Sequence, residues 1–152
     1  MKRDTKIVAA FVAAIPLLIL GASTLCSWAI AHGASMRWRL LFRAMCHGIE
    51  SRCLTLFGVP MPICARCTGI YVGLFFGVVA FAVYPIVEER LLRICLYAAA
   101  VPMAIDGITQ AMRLRESTNP LRITTGFVAA FAFGLWALSA IEGHRREAVN
   151  PS

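Results

Sequence analysis

Charge is what this 152-residue chain has little of: 15% of its residues are Asp, Glu, Lys or Arg, against roughly 25% in soluble domains. Lysine occurs only as Lys2 and Lys6, glutamine only as Gln110, and the net charge is nevertheless +7. The shortage of charge, with 59% hydrophobic residues and a mean hydropathy of +0.73, excludes an ordinary water-soluble domain. The absence of any lysine-rich, aromatic-interleaved block argues against a nucleic-acid partner. No internal repeat or low-complexity tract is present, and the length leaves no room for a separate soluble domain, so residues 1–152 read as one membrane domain. A lipoprotein cleavage site is missing too, since Ser23-Thr24-Leu25-Cys26 has no small residue before the Cys.

What is present is four long apolar runs, at roughly 7–31, 63–86, 94–112 and 123–141. Each is long enough to cross a hydrocarbon core of roughly 30 Å as a helix. The fold class follows: an all-α, multi-pass integral membrane protein with four transmembrane helices, whose partner is the lipid bilayer. Between the first two spans, Trp38, Leu41, Phe42 and Met45 fall at helical spacing among Arg37, Arg39 and Arg43. That pattern predicts one amphipathic helix in the headgroup layer, although a basic loop packing a few apolar side chains fits it as well. Gly58, Pro60 and Pro62 are expected to bend the chain back before the second span. Four spans put both termini on one side and the connectors 32–61 and 113–122 together on the other. Basic residues are nearly balanced between the two sides, from Lys2, Arg3 and Lys6 to the tail of His144, Arg145 and Arg146 on one of them. If some connector arginines are committed to a site, the termini are expected to be cytoplasmic.

The densest chemistry lies in Cys64-Ala65-Arg66-Cys67-Thr68-Gly69-Ile70-Tyr71 at the start of the second span. Gly69, Gly73 and Gly77 continue it as a small-residue stripe where another helix can approach closely; a homo-oligomer stays open. Cys46, His47, Cys64 and Cys67 supply four thiolate and imidazole ligands of the kind zinc prefers, with Gly48 able to turn the chain sharply and Cys53 as a spare. Cys26 and Cys95 sit in apolar runs and are expected to be buried small hydrophobes. A redox reading competes with the metal. The Cys64/Cys67 pair beside Arg66 would hold one thiol at a lowered pKa, as in membrane disulfide-generating enzymes that pass electrons to quinone. The third span carries Asp106, Gln110 and Arg113 on one helical face, and an ionisable residue inside a span marks a functional site by default. The loop that follows holds Ser117, Asn119 and Arg122. Asp106 is either a general base beside an anion pocket lined by Gln110, Arg113, Ser117, Asn119, Arg122 and Arg66, or one end of a structural ion pair.

Taken together, Cys46-His47, the Cys64–Tyr71 stretch and the Asp106-Gly107…Gln110…Arg113…Arg115-Glu116-Ser117…Asn119…Arg122…Thr125-Gly126 series resemble the prokaryotic integral-membrane family catalogued as domain of unknown function 2085, over roughly 45–126. The resemblance implies a small helical protein of a prokaryotic cell membrane and supplies no activity. The chain departs from the family pattern after Cys46-His47. There it reads Glu50-Ser51-Arg52-Cys53 in place of a Pro-Glu-Arg-Ser-like continuation, which leaves Arg52 as the matching position. The expectation is a Cys/His metal site, with zinc as cofactor, beside a polar Asp/Gln/Arg pocket that binds or processes a small anion or lipid headgroup. A membrane thiol-disulfide oxidoreductase, with quinone as its cofactor, is the alternative, and whether the protein is an enzyme stays open.

Overall fold

A computed structural model describes residues 3–85 and 88–149; side chains are described from Thr5 onward, apart from 145–147 and 149. Lys2 and the side chains of Arg3, Arg145 and Arg146, part of the charge that bears on orientation, lie outside the described residues. Four long helices carry the fold: α1 (Arg3–Ala31), α2 (Ala65–Val83), α3 (Glu89–Ala111) and α4 (Asn119–Val149). All four are long and apolar enough to cross a membrane. The 19 residues of α2 rise about 28 Å, close to the hydrocarbon thickness. The main contacts run α1 to α2, α2 to α4 and α4 to α3, with a smaller one between α1 and α4. The outward face of α3, with Ile94, Tyr97, Val101, Ile105 and Ile108, is exposed and therefore available to lipid.

The α2–α4 seam is the tightest in the molecule. A Cβ at Gly69, Gly73 or Gly77 would come within 3.0 Å of the backbone of Ile123, Phe127 or Phe131 respectively, and one at Gly126 would meet the Arg66 carbonyl. The four-residue glycine repeat thus lets two backbones touch, which in lipid replaces the hydrophobic drive that water would otherwise supply.

The connector between α1 and α2 holds more structure than its composition suggests. The amphipathic helix is there as a seven-residue 3-10 helix, Met36–Phe42, capped by Ser35. Trp38 and Leu41 are exposed and Phe42 is buried. Met45 and Cys46-His47 follow it in a turn rather than continuing the helix. Next comes an antiparallel hairpin, β1 (Cys53–Leu56) and β2 (Val59–Cys64). Phe57 and Gly58 both have positive φ, 55° and 76°, the backbone of the tight turn that matches strand twist. Pro60 and Pro62 stand inside β2; a two-stranded ribbon tolerates them because each strand has a free edge. The hairpin corrects the expected second span at its start: Ile63 and Cys64 belong to β2, and α2 begins at Ala65. Likewise α3 takes up 89–93, ahead of the expected third span, and α4 takes up 119–122 from the expected loop.

Both ends of the bundle are tied. At one, Thr5 Oγ1 donates to Glu142 Oε2 at 2.7 Å, joining α1 to α4. At the other, Asn119 Nδ2 donates to the Cys53 carbonyl at 3.3 Å, joining α4 to the hairpin. Reporter fusions after Arg90 and after Gly143 should therefore appear on one side of the membrane, and a fusion within 115–118 on the opposite side. Opposite readouts for Arg90 and Gly143 would mean that one helix does not cross.

Candidate metal centre and basic cavity

The hairpin brings three thiols together. Cys46 sits in the turn after the 3-10 helix, Cys64 ends β2 and caps α2 with extended backbone, and Cys67 lies in the first turn of α2. Their sulfurs lie within 4.8 Å of one another. Sulfurs around a tetrahedral zinc, at Zn–S bonds of about 2.3 Å, stand about 3.8 Å apart, so small rotamer changes would close this set on an ion. The backbone N–H groups of Gly48 and Cys64 reach Cys46 Sγ at 3.5 and 3.3 Å. Gly48 has φ +56° and a Cβ there would meet the Pro62 carbonyl at 3.0 Å, so the turn that aims its N–H at the sulfur requires glycine. The neighbouring Cys64 and Cys67 thiols, helped by these N–H donors, hold the Cys46 thiol well below its ordinary value, against the effect of burial. His47 is not in the three-thiol group; its Nδ1 lies 3.8 Å from Cys46 Sγ.

Cys53 takes the other course. Burial pushes its thiol up to about 11, and the sulfur donates to the Ile49 carbonyl at 3.1 Å. It stays a protonated thiol in the small apolar core formed by Phe42, Met61 and Ile63. Cys26 is only half-buried, and Cys95, expected inside, is exposed on α3.

Arg39 locks this cap. It pairs with Glu50 and donates to the Gly48 and Met61 carbonyls at 3.4 and 3.3 Å, tying the 3-10 helix to the thiol turn and to β2. Arg66, between the two cysteines of the Cys-x-x-Cys stretch, crosses to α3 and pairs with Asp106. The second Asp106 oxygen takes Arg115 at 2.6 Å, and Gln110 Nε2 donates to the carboxylate at 3.2 Å. Arg122 extends the chain of contacts, donating to Gln110 Oε1 at 3.4 Å and to Asn119 Oδ1 at 2.9 Å.

Beside this network lies a cavity of about 370 Å³, lined by Ile49, Ser51, Arg52, Gln110, Arg113, Arg115, Glu116, Ser117 and Arg122. Of the residues expected at a pocket, Gln110, Arg113, Ser117 and Arg122 line it; Asn119 instead accepts from Arg122, and Arg66 pairs with Asp106. Asp106 does not face it. That carboxylate, the expected general base, is 2% exposed and both its oxygens are engaged by guanidinium groups. Arg52 and Arg115 complete the lining from the two connectors; the family-like Arg115-Glu116-Ser117 run and the Arg52 position were the signals for them.

These features define a class: a small four-span helical membrane protein whose surface cap joins a thiol cluster to an arginine-rich cavity. The chain belongs to the family described as "Predicted membrane protein (DUF2085)", whose model matches residues 46–136. That match runs from Cys46 into α4, so it covers the thiols and the cavity and omits α1. An uncharacterized protein of Methanocaldococcus jannaschii is 37% identical over 100 residues, 64% of each chain. Another, of Methanothermobacter thermautotrophicus, is 36% identical over 103 residues, 68% of this chain and 91% of that one. The chain thus spans just under two thirds of the length of the M. jannaschii relative. No solved structure matches.

Proposed function

We propose that this protein binds a small anion or an anionic lipid headgroup in the basic cavity at the membrane surface, and that a zinc ion held by Cys46, Cys64 and Cys67 braces the cavity wall. The observation that carries this reading is the convergence of Arg52, Arg113, Arg115 and Arg122 on one cavity. Guanidinium groups recognise oxyanions by paired N–H donors. His47, 3.8 Å from Cys46 Sγ, is the natural fourth ligand, which would close the site and make the zinc structural. Arg52 precedes Cys53, whose strand partner is Cys64, so the metal would fix the strand ends that present Arg52 to the cavity. Binding is favoured over processing because Glu116 is the one carboxylate among the lining residues.

Purified protein should carry about one zinc per chain, and Cys64→Ser or Cys67→Ser should lose it, since such a site needs its thiolates. Elemental analysis with a free-thiol count is the check. The lowered thiol of Cys46 beside two others also favours a thiol-disulfide oxidoreductase. Metal-free protein with two of the three thiols oxidised would establish that second reading instead.

A further inference from the structure

The cavity holds more positive charge than its own residues neutralise. Arg52, Arg113, Arg115 and Arg122 line it, and Glu116 is the one carboxylate among its lining residues. Four guanidinium groups facing one carboxylate leave a surplus of three charges. The surplus is not confined to flexible surface chains: Arg122 is 6% exposed, and its Nε has no hydrogen-bond partner. A buried donor on a charged group without an acceptor is costly and calls for one. Arg113 is held at φ +56°, a conformation that non-glycine residues seldom adopt, where the chain turns out of α3 into the cavity rim. The lining residue Ser51 adds a hydroxyl donor.

We propose that the ligand is a phosphomonoester, bound as its dianion, with its terminal oxygens shared among Arg52, Arg113 and Arg122. This rests on the anion-binding reading of the same cavity and specifies its chemistry. A carboxylate or a phosphodiester brings a single negative charge and would leave most of the surplus uncancelled. A monoester phosphate brings close to two, with three terminal oxygens suited to guanidinium forks. At about 370 Å³ the cavity is larger than a bare phosphate needs and falls in the range of ordinary ligand sites, so it also admits part of the esterified group. The ester can come from a lipid whose headgroup is a terminal phosphate or from a soluble molecule.

Detergent-purified protein, titrated calorimetrically at fixed ionic strength, separates these cases. The probes are inorganic phosphate, a short-chain phosphatidate, a short-chain phosphatidylglycerol and acetate. Phosphatidate or phosphate should bind at least tenfold more tightly than phosphatidylglycerol or acetate at pH 7.5. Binding of the phosphomonoester probe should weaken at least about fourfold at pH 5.5, following the dianion fraction of a group with a second pKa of about 6 or above. Glu116 is the titratable acid lining the cavity, Asp106 is the one paired with the lining Arg115, and no histidine lines it. Protonating either carboxylate would strengthen anion binding, the opposite sign. Arg113→Gln and Arg52→Gln, at exposed and half-buried positions, should each cost tenfold with the melting temperature unchanged. Tight phosphatidate without phosphate marks a lipid ligand, and both together mark the phosphate group itself; either result supports the proposal. Equal binding of phosphatidylglycerol or acetate, sensitive to Arg113→Gln but independent of pH, overturns the phosphomonoester while leaving an anion site. No binding of any probe overturns both readings.

Discussion

Asp106→Asn should destabilise the protein by about 3 kcal/mol, the scale expected when one partner of a buried ion pair is removed. The carboxylate is 2% exposed, and it is the shared partner of Arg66 on α2 and Arg115 in the loop after α3. Asparagine is close in shape and keeps an oxygen, but it removes the negative charge. Arg66, at 23% side-chain exposure, then loses its partner in a half-buried position. Arg115 is about half exposed and can turn to water, so most of the loss falls on the Arg66 side. Asp106→Leu combined with Arg66→Met should recover most of the stability, because a buried pair replaced together by packed apolar groups costs little. Thermal unfolding in detergent of the wild type, the single mutant and the double mutant is the measurement. A single mutant that melts like wild type yet loses anion binding would return Asp106 to the cavity as a working residue.

The direction of that prediction could not come from the sequence. Asp106, Gln110 and Arg113 share a helical face, which marks the face as polar but leaves open whether it looks into a cavity or at another helix. The answer depends on how α3 lies against α4 and on the reach of Arg66 from α2, forty residues earlier. Arg52 and Arg115 converge with Arg113 and Arg122 only once the hairpin is folded over the α3–α4 loop. The hairpin itself was hidden because Pro60 and Pro62 read as breakers, whereas a ribbon with two free edges accepts them. The four spans were legible because burial in lipid demands long apolar runs whatever the helices pack against. Cys46, Cys64 and Cys67 were legible as one set by their residue types and spacing. The departure from the family pattern at Glu50-Ser51-Arg52-Cys53 already set Cys53 apart from the other thiols, and its hydrogen bond to Ile49 and its burial point the same way.

Gly73 was legible as well, and it carries the other large effect. In α2 it sits at the middle of the Gly69, Gly73, Gly77 stripe, and an added Cβ would collide with the Cα, carbonyl carbon and oxygen of Phe127 on α4. Those atoms belong to a helix backbone and cannot swing aside as a side chain would. Gly73→Ala therefore forces α2 and α4 apart along their length, breaking close contacts at Gly69, Gly77 and Gly126 too. Overpacking of this kind costs about 3 kcal/mol when the obstacle is rigid, far above the gain of up to about 1 kcal/mol from replacing a helical glycine. The same separation moves Arg66 on α2 away from Arg122 on α4, so anion binding should weaken together with stability. Gly21 provides the control. It lies within α1 with nothing inside 4 Å of its would-be Cβ, and Gly21→Ala should be neutral or slightly stabilising. Thermal unfolding in one detergent, with phosphate binding measured on the same samples, tests the pair. If Gly73→Ala and Gly21→Ala melt alike, backbone contact between α2 and α4 is not what holds the bundle together.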